Sequence, residues 1–397
     1  MKYTYKHTKL ACYGGYLTSS MAINFPPVLF IIFQKQFGLS LVLLGTLISV
    51  NFGVQMLADI VGANTVGKKL SYRACAVLAN ILVASGVILL GILPLVMSAK
   101  FLSLLIATCV YAVGCGLLEV IVSPIIEAIP EDGKESNMSL LHSFYSWGQL
   151  LAISVTTLYL FIFRHENWYY LCFFWAIIPV STALLYSEVP IRTLPTEEKK
   201  SSLSLFKNKM FLLFLLLMLA SGASEISVAQ WASLFVETAL GVSKTAGDLL
   251  GPCMFALLMG ISRVLYAKIS DKVNLSNYII SCGCLCIIAY ILMIFVPSNY
   301  ISLAAIGIVG FSVGVMWPGV LSLASAKFPL GGAAMFAYLA IFGDIGCTFG
   351  PSLAAQFSEM FTLYSSPLKA GLAVCTIFPV LVVTLTMILK KMRRNDA

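Results

Sequence analysis

The stretch GCGLLEVIVSPIIEAIPEDGKESNMSLLHSFYSWGQL, from Gly114 to Leu150, decides the fold, because it joins two long apolar segments by a short charged turn. Glu119 lies among Leu, Val and Ile with no opposite charge nearby in the sequence. A carboxylate at the centre of a membrane-spanning helix costs about 2.5 to 3.5 kcal/mol on insertion scales, so such a group normally faces protein or a water-filled cavity. The stretch therefore indicates a polar pathway inside a membrane protein.

A polar strip follows the charged turn, formed by His142, Tyr145, Ser146 and Gln149. Their spacing of i, i+3, i+4 and i+7 places all four on one helix face. His142 is either a proton relay or a structural histidine whose hydrogen bonds are satisfied. We expect His142 and Gln149 to contact a solute.

The composition of the whole chain agrees with a membrane protein. It has 397 residues, of which 59% are hydrophobic and 11% are charged, and the mean hydropathy is +0.94. Soluble globular proteins lie far from these values. The net charge of +8 is dispersed over short loops and not gathered on one face, which argues against nucleic acid as a partner.

The eleven cysteines lie almost wholly inside apolar segments and have no paired metal-ligand spacing. Cys282, Cys284 and Cys286 are two residues apart, which spreads their side chains around a helix. We therefore expect no metal site and no cofactor. The basic N-terminus leads into a long apolar stretch without a small-residue cleavage site, which predicts a retained first span and not a cleaved signal peptide.

About 20 apolar residues are needed for each bilayer crossing, and this length predicts an all-α membrane protein of twelve spans. The predicted spans are 9–34, 40–65, 72–96, 99–127, 137–162, 168–187, 209–238, 244–267, 275–296, 299–326, 330–358 and 366–389. The longest polar segment separates the sixth span from the seventh. The predicted domains are an N-terminal six-helix half at 1–187, a cytoplasmic linker at 188–208 and a C-terminal six-helix half at 209–397.

The distribution of positive charge predicts the orientation. Most of the 25 Lys and Arg residues fall in the loops on the side that also holds both termini. Positive residues are enriched in cytoplasmic loops, so both termini are expected in the cytoplasm. The expected location is the plasma membrane.

The two halves resemble each other along the chain. The segment FGLSLVLLG after the first span matches LGVSKTAGD after the seventh, and YSWGQL in the fifth span matches AIFGDI in the eleventh. The second match places Gln149 opposite Asp344. Two halves in the same orientation, related by an axis along the membrane normal, are typical of major facilitator transporters.

The local motifs extend this resemblance. The segments GLLEVIVSPIIEAIP and LLHSFYSWG resemble the fourth and fifth spans of the fucose permease group of sugar:proton symporters, and GASEISVAQW and GISRV resemble its seventh and eighth. The resemblance implies a secondary active transporter in which Glu119 is the proton-linked carboxylate. The acidic residue of the group's first span falls here on Pro26 and Pro27 beside Asn24, and Asp59 is a candidate to replace it.

Three carboxyl groups are thus predicted to couple protons, namely Glu119, Asp344 and Asp59. For Glu119 a structural hydrogen bond to a neighbouring helix is the alternative. Asp59 lies near the inner end of its span, so the alternative for this residue is that its side chain extends to the membrane interface.

A second set of residues is predicted to contact the solute. Glu225 and Arg263 are included, although an ion pair of Arg263 with Glu225, Asp344 or Asp59 explains them equally well. Flat aromatic faces beside hydroxyl and amide groups suit sugar rings, although large rings also simply fill helix bundles. The predicted solute contacts are Asn24, His142, Gln149, Glu225, Gln230, Trp231, Trp317 and Arg263.

Several classes of protein are excluded or ranked below this one. The chain has no GxxxxGK[ST] motif, so it cannot drive primary active transport by itself. No nucleophile and base combination suggests an enzyme. We expect a monomer in membrane lipid whose partners are a small-molecule substrate and protons. The alternatives are a proton-coupled exporter of a metabolite or drug and a non-transporting solute sensor.

Overall fold

A computed structural model describes residues 3–39, 41–163, 167–192, 202–232, 235–236, 246–247, 249–296, 298–360 and 367–395 of the chain. These residues are almost wholly helical, and the β-type pairing within them is one isolated bridge between Val66 and Leu70. The predicted all-α fold is thus confirmed.

The helices before residue 193 follow closely on one another. They are α1 (Tyr5–Val28), α2 (Phe30–Phe37), α3 (Leu41–Thr65), α4 (Tyr72–Val96), α5 (Lys100–Glu127), α6 (Lys134–Ile162) and α7 (Tyr169–Glu188).

The later elements include shorter turns. They are a 3₁₀ turn (Ser202–Lys207), α8 (Lys209–Ala229), a π-helical turn (Leu249–Cys253), α9 (Met254–Ile269), a 3₁₀ turn (Ser270–Lys272), α10 (Leu275–Phe295), α11 (Asn299–Val313), α12 (Met316–Lys327), α13 (Gly332–Met360), α14 (Pro367–Cys375) and α15 (Ile377–Asn395).

Eleven helical segments among the described residues are long and apolar enough to cross a bilayer. The remaining predicted span, 9–34, is the first in the chain; it coincides with α1 and α2 and does not belong to this set. The polar residues Thr18, Ser19 and Ser20 of α1 lower its hydropathy, but all three are buried against protein. A count based on hydropathy therefore misses a span whose polar face packs against neighbouring helices.

Several predicted spans are interrupted where hydropathy shows no break. The predicted span 9–34 divides at Leu29, after Pro26 and Pro27. The predicted span 299–326 divides at Gly314 and Val315, between α11 and α12. A proline has no backbone N–H, so one carbonyl group in the preceding turn loses its helical hydrogen bond. Such a carbonyl group is tolerated at membrane depth where protein surrounds it.

The chain divides by its internal contacts into two compact units. The first comprises Met1–Pro130, Phe144–Pro195 and Gly332–Ala337, and the second comprises Glu131–Ser143, Thr196–Gly331 and Tyr338–Ala397. Residues 193–201 of the predicted linker lie outside the described residues. The division into domains at 187 and 209 therefore stays a prediction.

Each unit has its own packed core. In the first unit α5 packs against α1, α3 and α4, and α7 packs against α1 and α4. A Cβ atom on Gly114 of α5 would lie 2.5 Å from the carbonyl oxygen of Ala79, so α4 and α5 are in backbone contact. In the second unit α10 packs against α11 and α15, and α8 packs against α12 and α15.

Candidate functional site

Two carboxyl groups lie together in the first unit, one on α3 and one on α5. The carboxylate oxygens of Asp59 and Glu119 lie within 4.8 Å of each other. Asp59 is fully buried, so the alternative in which its side chain reaches the membrane interface is wrong. Glu119 is half-buried. Two ionised carboxylates this close repel each other strongly away from water, so the pair is suited to hold a proton or another cation.

A buried amide joins this acid pair. Gln55 of α3 donates a hydrogen bond from Nε2 to Oε2 of Glu119 across 3.1 Å. A Cβ atom on Gly116 of α5 would lie 2.5 Å from the carbonyl oxygen of Gln55 and 3.0 Å from Oδ1 of Asp59. Glycine at position 116 therefore allows α3 to approach α5 closely enough for the three polar groups to meet.

Helix α1 of the first unit also carries hydroxyl and amide groups. The hydroxyl groups of Tyr16 and Ser123 are 3.0 Å apart, and Ser20 donates to the carbonyl oxygen of Tyr145 across 2.6 Å. Asn24, a predicted solute contact, donates to the carbonyl oxygen of Ser20 across 2.8 Å and is half-buried. Together these residues form a polar face on α1, and a solute contact by Asn24 stays a prediction.

An ion pair lies in the second unit between α8 and α9. Arg263 Nη2 is 3.5 Å from Oε2 of Glu225, and both residues are buried. The sequence offers Glu225, Asp344 and Asp59 as ion-pair partners of Arg263. The ion pair in the structure is formed with Glu225. Roles of these two residues in solute binding stay predictions.

Two backbone carbonyl groups also accept hydrogen bonds from the guanidinium. Arg263 donates from Nε to Gly314, across 2.7 Å, and from Nη1 to His142, across 2.9 Å. The carbonyl of Gly314 is available because the residue four positions later, Pro318, has no backbone N–H to donate to it. The side chain of His142 is buried, so its contact with a solute also stays a prediction.

The remaining predicted residues are spread over the elements. Trp231 follows the end of α8 and donates from Nε1 to the carbonyl oxygen of Pro351 across 3.3 Å. Gln230 beside it is exposed, and Gln149 on α6 is half-buried. The regular helix ends at Ala229, so the prediction of one continuous span over 209–238 is wrong for the described residues.

Asp344 lies on α13 in the second unit and is buried. The residue before it, Gly343, packs directly against the indole ring of Trp317, and a Cβ atom at position 343 would overlap that ring. A Cβ atom on Gly222 of α8 would lie 2.5 Å from the carbonyl oxygen of Gly343. Small residues thus bring α13 against both α8 and α12, with Asp344 at this junction.

The sequence reasoning missed some residues of these clusters. Gln55 precedes Asp59 by one helical turn, and this i, i+4 spacing is a signal that points to it. Ser123 follows Glu119 by the same spacing, but nothing in the sequence indicates that its hydroxyl meets that of Tyr16, which lies on a helix far away in the sequence.

The sequence pattern of the Major Facilitator Superfamily matches residues 12–351. The uncharacterized transporter YwbF of Bacillus subtilis (strain 168) is 26% identical over 190 residues, which are 46% of this chain and 47% of that protein. The chain thus spans about half the length of this curated relative.

Solved structures share the fold at low sequence identity. The transporter FucP in its outward conformation is 14% identical with a TM-score of 0.78, covering 96% of this chain and 98% of that one. The proton:xylose symporter XylE, bound to 6-bromo-6-deoxy-D-glucose, is 13% identical with a TM-score of 0.82, covering 97% and 95%. The chain is a multi-pass membrane protein that belongs to the major facilitator superfamily, and its fold resembles that of the fucose permease group.

Proposed function

We propose that the protein is a secondary active transporter that imports a small polar solute, a sugar or related metabolite, together with a proton. Transport would proceed by alternating access, with solute and proton exposed to one side of the membrane at a time. The main support for this proposal is Glu119. Its half-buried carboxyl group accepts a hydrogen bond from Gln55, and its carboxylate oxygen lies within 4.8 Å of one of Asp59. One added proton relieves the repulsion of this pair, and its release restores the repulsion.

The polar face of α1 favours a hydrophilic solute. Tyr16, Ser20 and Asn24 offer hydroxyl and amide groups within the first unit, whereas a carrier of amphipathic drugs would present a more apolar surface. Two symporters of sugars share the fold. A proton-coupled exporter and a non-transporting sensor remain the alternatives.

The proposal includes the location of the protein. It would act as a monomer in the plasma membrane with both termini in the cytoplasm. A reporter protein fused to the C-terminus, with accessibility measured in intact and permeabilised cells, tests this orientation.

A substitution at Glu119 tests the mechanism in proteoliposomes that contain the full chain. A thermal-shift screen of sugars and small metabolites first identifies a solute. Glu119→Gln should then abolish uphill, proton-driven accumulation, so that the internal solute concentration only equals the external one. Exchange of labelled for unlabelled solute needs no net proton movement and should continue.

The matched control is Glu127→Gln, which makes the same chemical change at the end of the same helix. It should retain accumulation. Uphill uptake by Glu119→Gln at the wild-type level would refute the role of Glu119. Binding of the solute without any flux in the wild type would support the sensor, and outward pumping would support the exporter.

A further inference from the structure

The acid pair of the first unit lacks positive side chains on its own helices. Helix α3 contains no Lys, Arg or His, and α5 contains none after Lys100. The carboxylate oxygens of Asp59 and Glu119 nevertheless lie within 4.8 Å of each other. Neither helix therefore supplies a side chain that offsets the repulsion of two ionised groups.

Two buried amide oxygens lie on the face of α3 that carries Asp59. Asn51 and Gln55 precede Asp59 by eight and four residues, so the three side chains share one helix face. Both amides are buried, with 4% and 2% of their surface exposed. Asn51 Oδ1 and Gln55 Oε1 have no hydrogen-bond partner among the described residues. Because Gln55 Nε2 is 3.1 Å from Glu119, this amide group lies at the acid pair.

Carboxylate and amide oxygens are the ligands that hard cations prefer. Calcium takes six to eight such oxygens at 2.3 to 2.6 Å in flexible geometry, whereas magnesium demands near-ideal octahedral geometry and usually keeps several waters. Sodium has nearly the radius of calcium. Two oxygens bound to one ion of this size are up to about 5 Å apart, so the acid pair, whose carboxylate oxygens lie within 4.8 Å of each other, can hold such an ion.

We propose that Asp59, Glu119 and Gln55 bind a sodium ion, with Asn51 contributing one turn further along α3. The inference rests on the proposed function, because the sodium ion and the driving proton would bind the same carboxyl groups and compete for them. A divalent ion of the same size would be attracted twice as strongly and released more slowly in each cycle. The spacing of the cysteines predicts no metal site, but it carries no information about carboxylate and amide oxygens on two different helices.

Thermal unfolding of the purified full chain tests the binding of sodium at constant pH and ionic strength. Sodium chloride should raise the Tm by about 3 °C at a concentration 100-fold above Kd, because a ligand of the folded state stabilises it. Potassium and choline chloride should give no such shift. Binding of radioactive sodium to the same preparation provides a second measurement.

Two variants locate the site, and one serves as a matched control. Asp59→Asn and Gln55→Ala should each lose the sodium-specific shift and the bound radioactive sodium. Asn80→Ala should retain both, because Asn80 is an equally buried amide on α4 that donates a hydrogen bond to the carbonyl oxygen of Ala76 in its own helix. A variant that fails to fold is replaced by Gln55→Glu, which keeps an oxygen ligand and should retain sodium binding.

The outcomes separate this inference from the proposed function. The inference is overturned if the wild type shows no sodium-specific shift, if both variants retain it, or if calcium alone stabilises the protein. Proton-driven uptake without any response to sodium would overturn the inference and leave the proposed function standing. A sodium shift in a protein that moves no solute would support the site and refute the transport function.

Discussion

Arg263 and Glu225 form a buried ion pair in which Nη2 and Oε2 are 3.5 Å apart, and the guanidinium also donates to two backbone carbonyl groups. Removing one partner of a buried pair leaves an uncompensated charge away from water. Replacing both partners by apolar residues of similar size removes this penalty.

Glu225→Ala should therefore lower the free energy of unfolding by about 3 kcal/mol. The double variant Glu225→Leu with Arg263→Met should recover much of this loss. Denaturant unfolding of the purified protein measures both changes. Asp271→Ala is the control, because this acidic residue is exposed in the turn after α9. Equal and small effects of Glu225→Ala and Asp271→Ala would contradict a stabilising ion pair.

Gly116 sets the distance between α3 and α5. A Cβ atom there would lie 2.5 Å from the carbonyl oxygen of Gln55, and a backbone atom cannot give way as a flexible side chain does. Gly116→Ala should destabilise the protein by about 1 to 3 kcal/mol and reduce solute accumulation, because it separates Gln55 from Glu119. Thermal unfolding and proteoliposome uptake measure the two effects.

Gly53→Ala provides the matched control on α3. A Cβ atom at Gly53 meets no atom within 4 Å, so alanine should be neutral or should stabilise the helix by up to about 1 kcal/mol. If Gly116→Ala behaves like Gly53→Ala, close approach of the two helices is not needed for the acid pair.

Serine hydroxyl groups connect the start of α6 to α9 within the second unit. Ser136 donates to the carbonyl oxygen of Ala267 across 2.6 Å, and Ser139 donates to that of Arg263 across 2.7 Å. Ser136→Ala and Ser139→Ala should each lower the free energy of unfolding by about 0.5 to 1.5 kcal/mol. The same change at Ser143, whose hydroxyl donates to Leu140 in its own helix, should have less effect. Three equal losses would show that the contacts between α6 and α9 add nothing.

Helices bounded by clear local signals could be predicted closely from the sequence. The predicted span 72–96 coincides with α4, where Ser71 accepts a hydrogen bond from the backbone of Ala74 at the start. The predicted span 99–127 differs by one residue from α5. Continuous apolar runs bounded by caps and polar turns carry enough information for such agreement.

The meeting of helices could not be predicted in the same way. Gln55 and Glu119 are 64 residues apart, and nothing in either segment specifies that their side chains meet. Pro318 leaves the carbonyl of Gly314 without a helical donor, but nothing in the sequence specifies that Arg263, 51 residues away, donates to it. Such contacts depend on packing between helices, which hydropathy does not record.

Trp231 offers a test of solute recognition that separates binding from stability. Trp231 is half-buried and its Nε1 is 3.3 Å from the carbonyl oxygen of Pro351, and we expect its indole face to contact a sugar ring. Trp231→Ala should raise the KM for the identified solute about tenfold, since the loss of one aromatic contact of about 1.4 kcal/mol has this effect. Trp168→Phe is the comparison, because Trp168 is fully buried and donates from Nε1 to Gln36 across 3.0 Å. It should lower the Tm and leave KM unchanged, whereas a fall in Tm with unchanged KM for Trp231→Ala would assign Trp231 to packing alone.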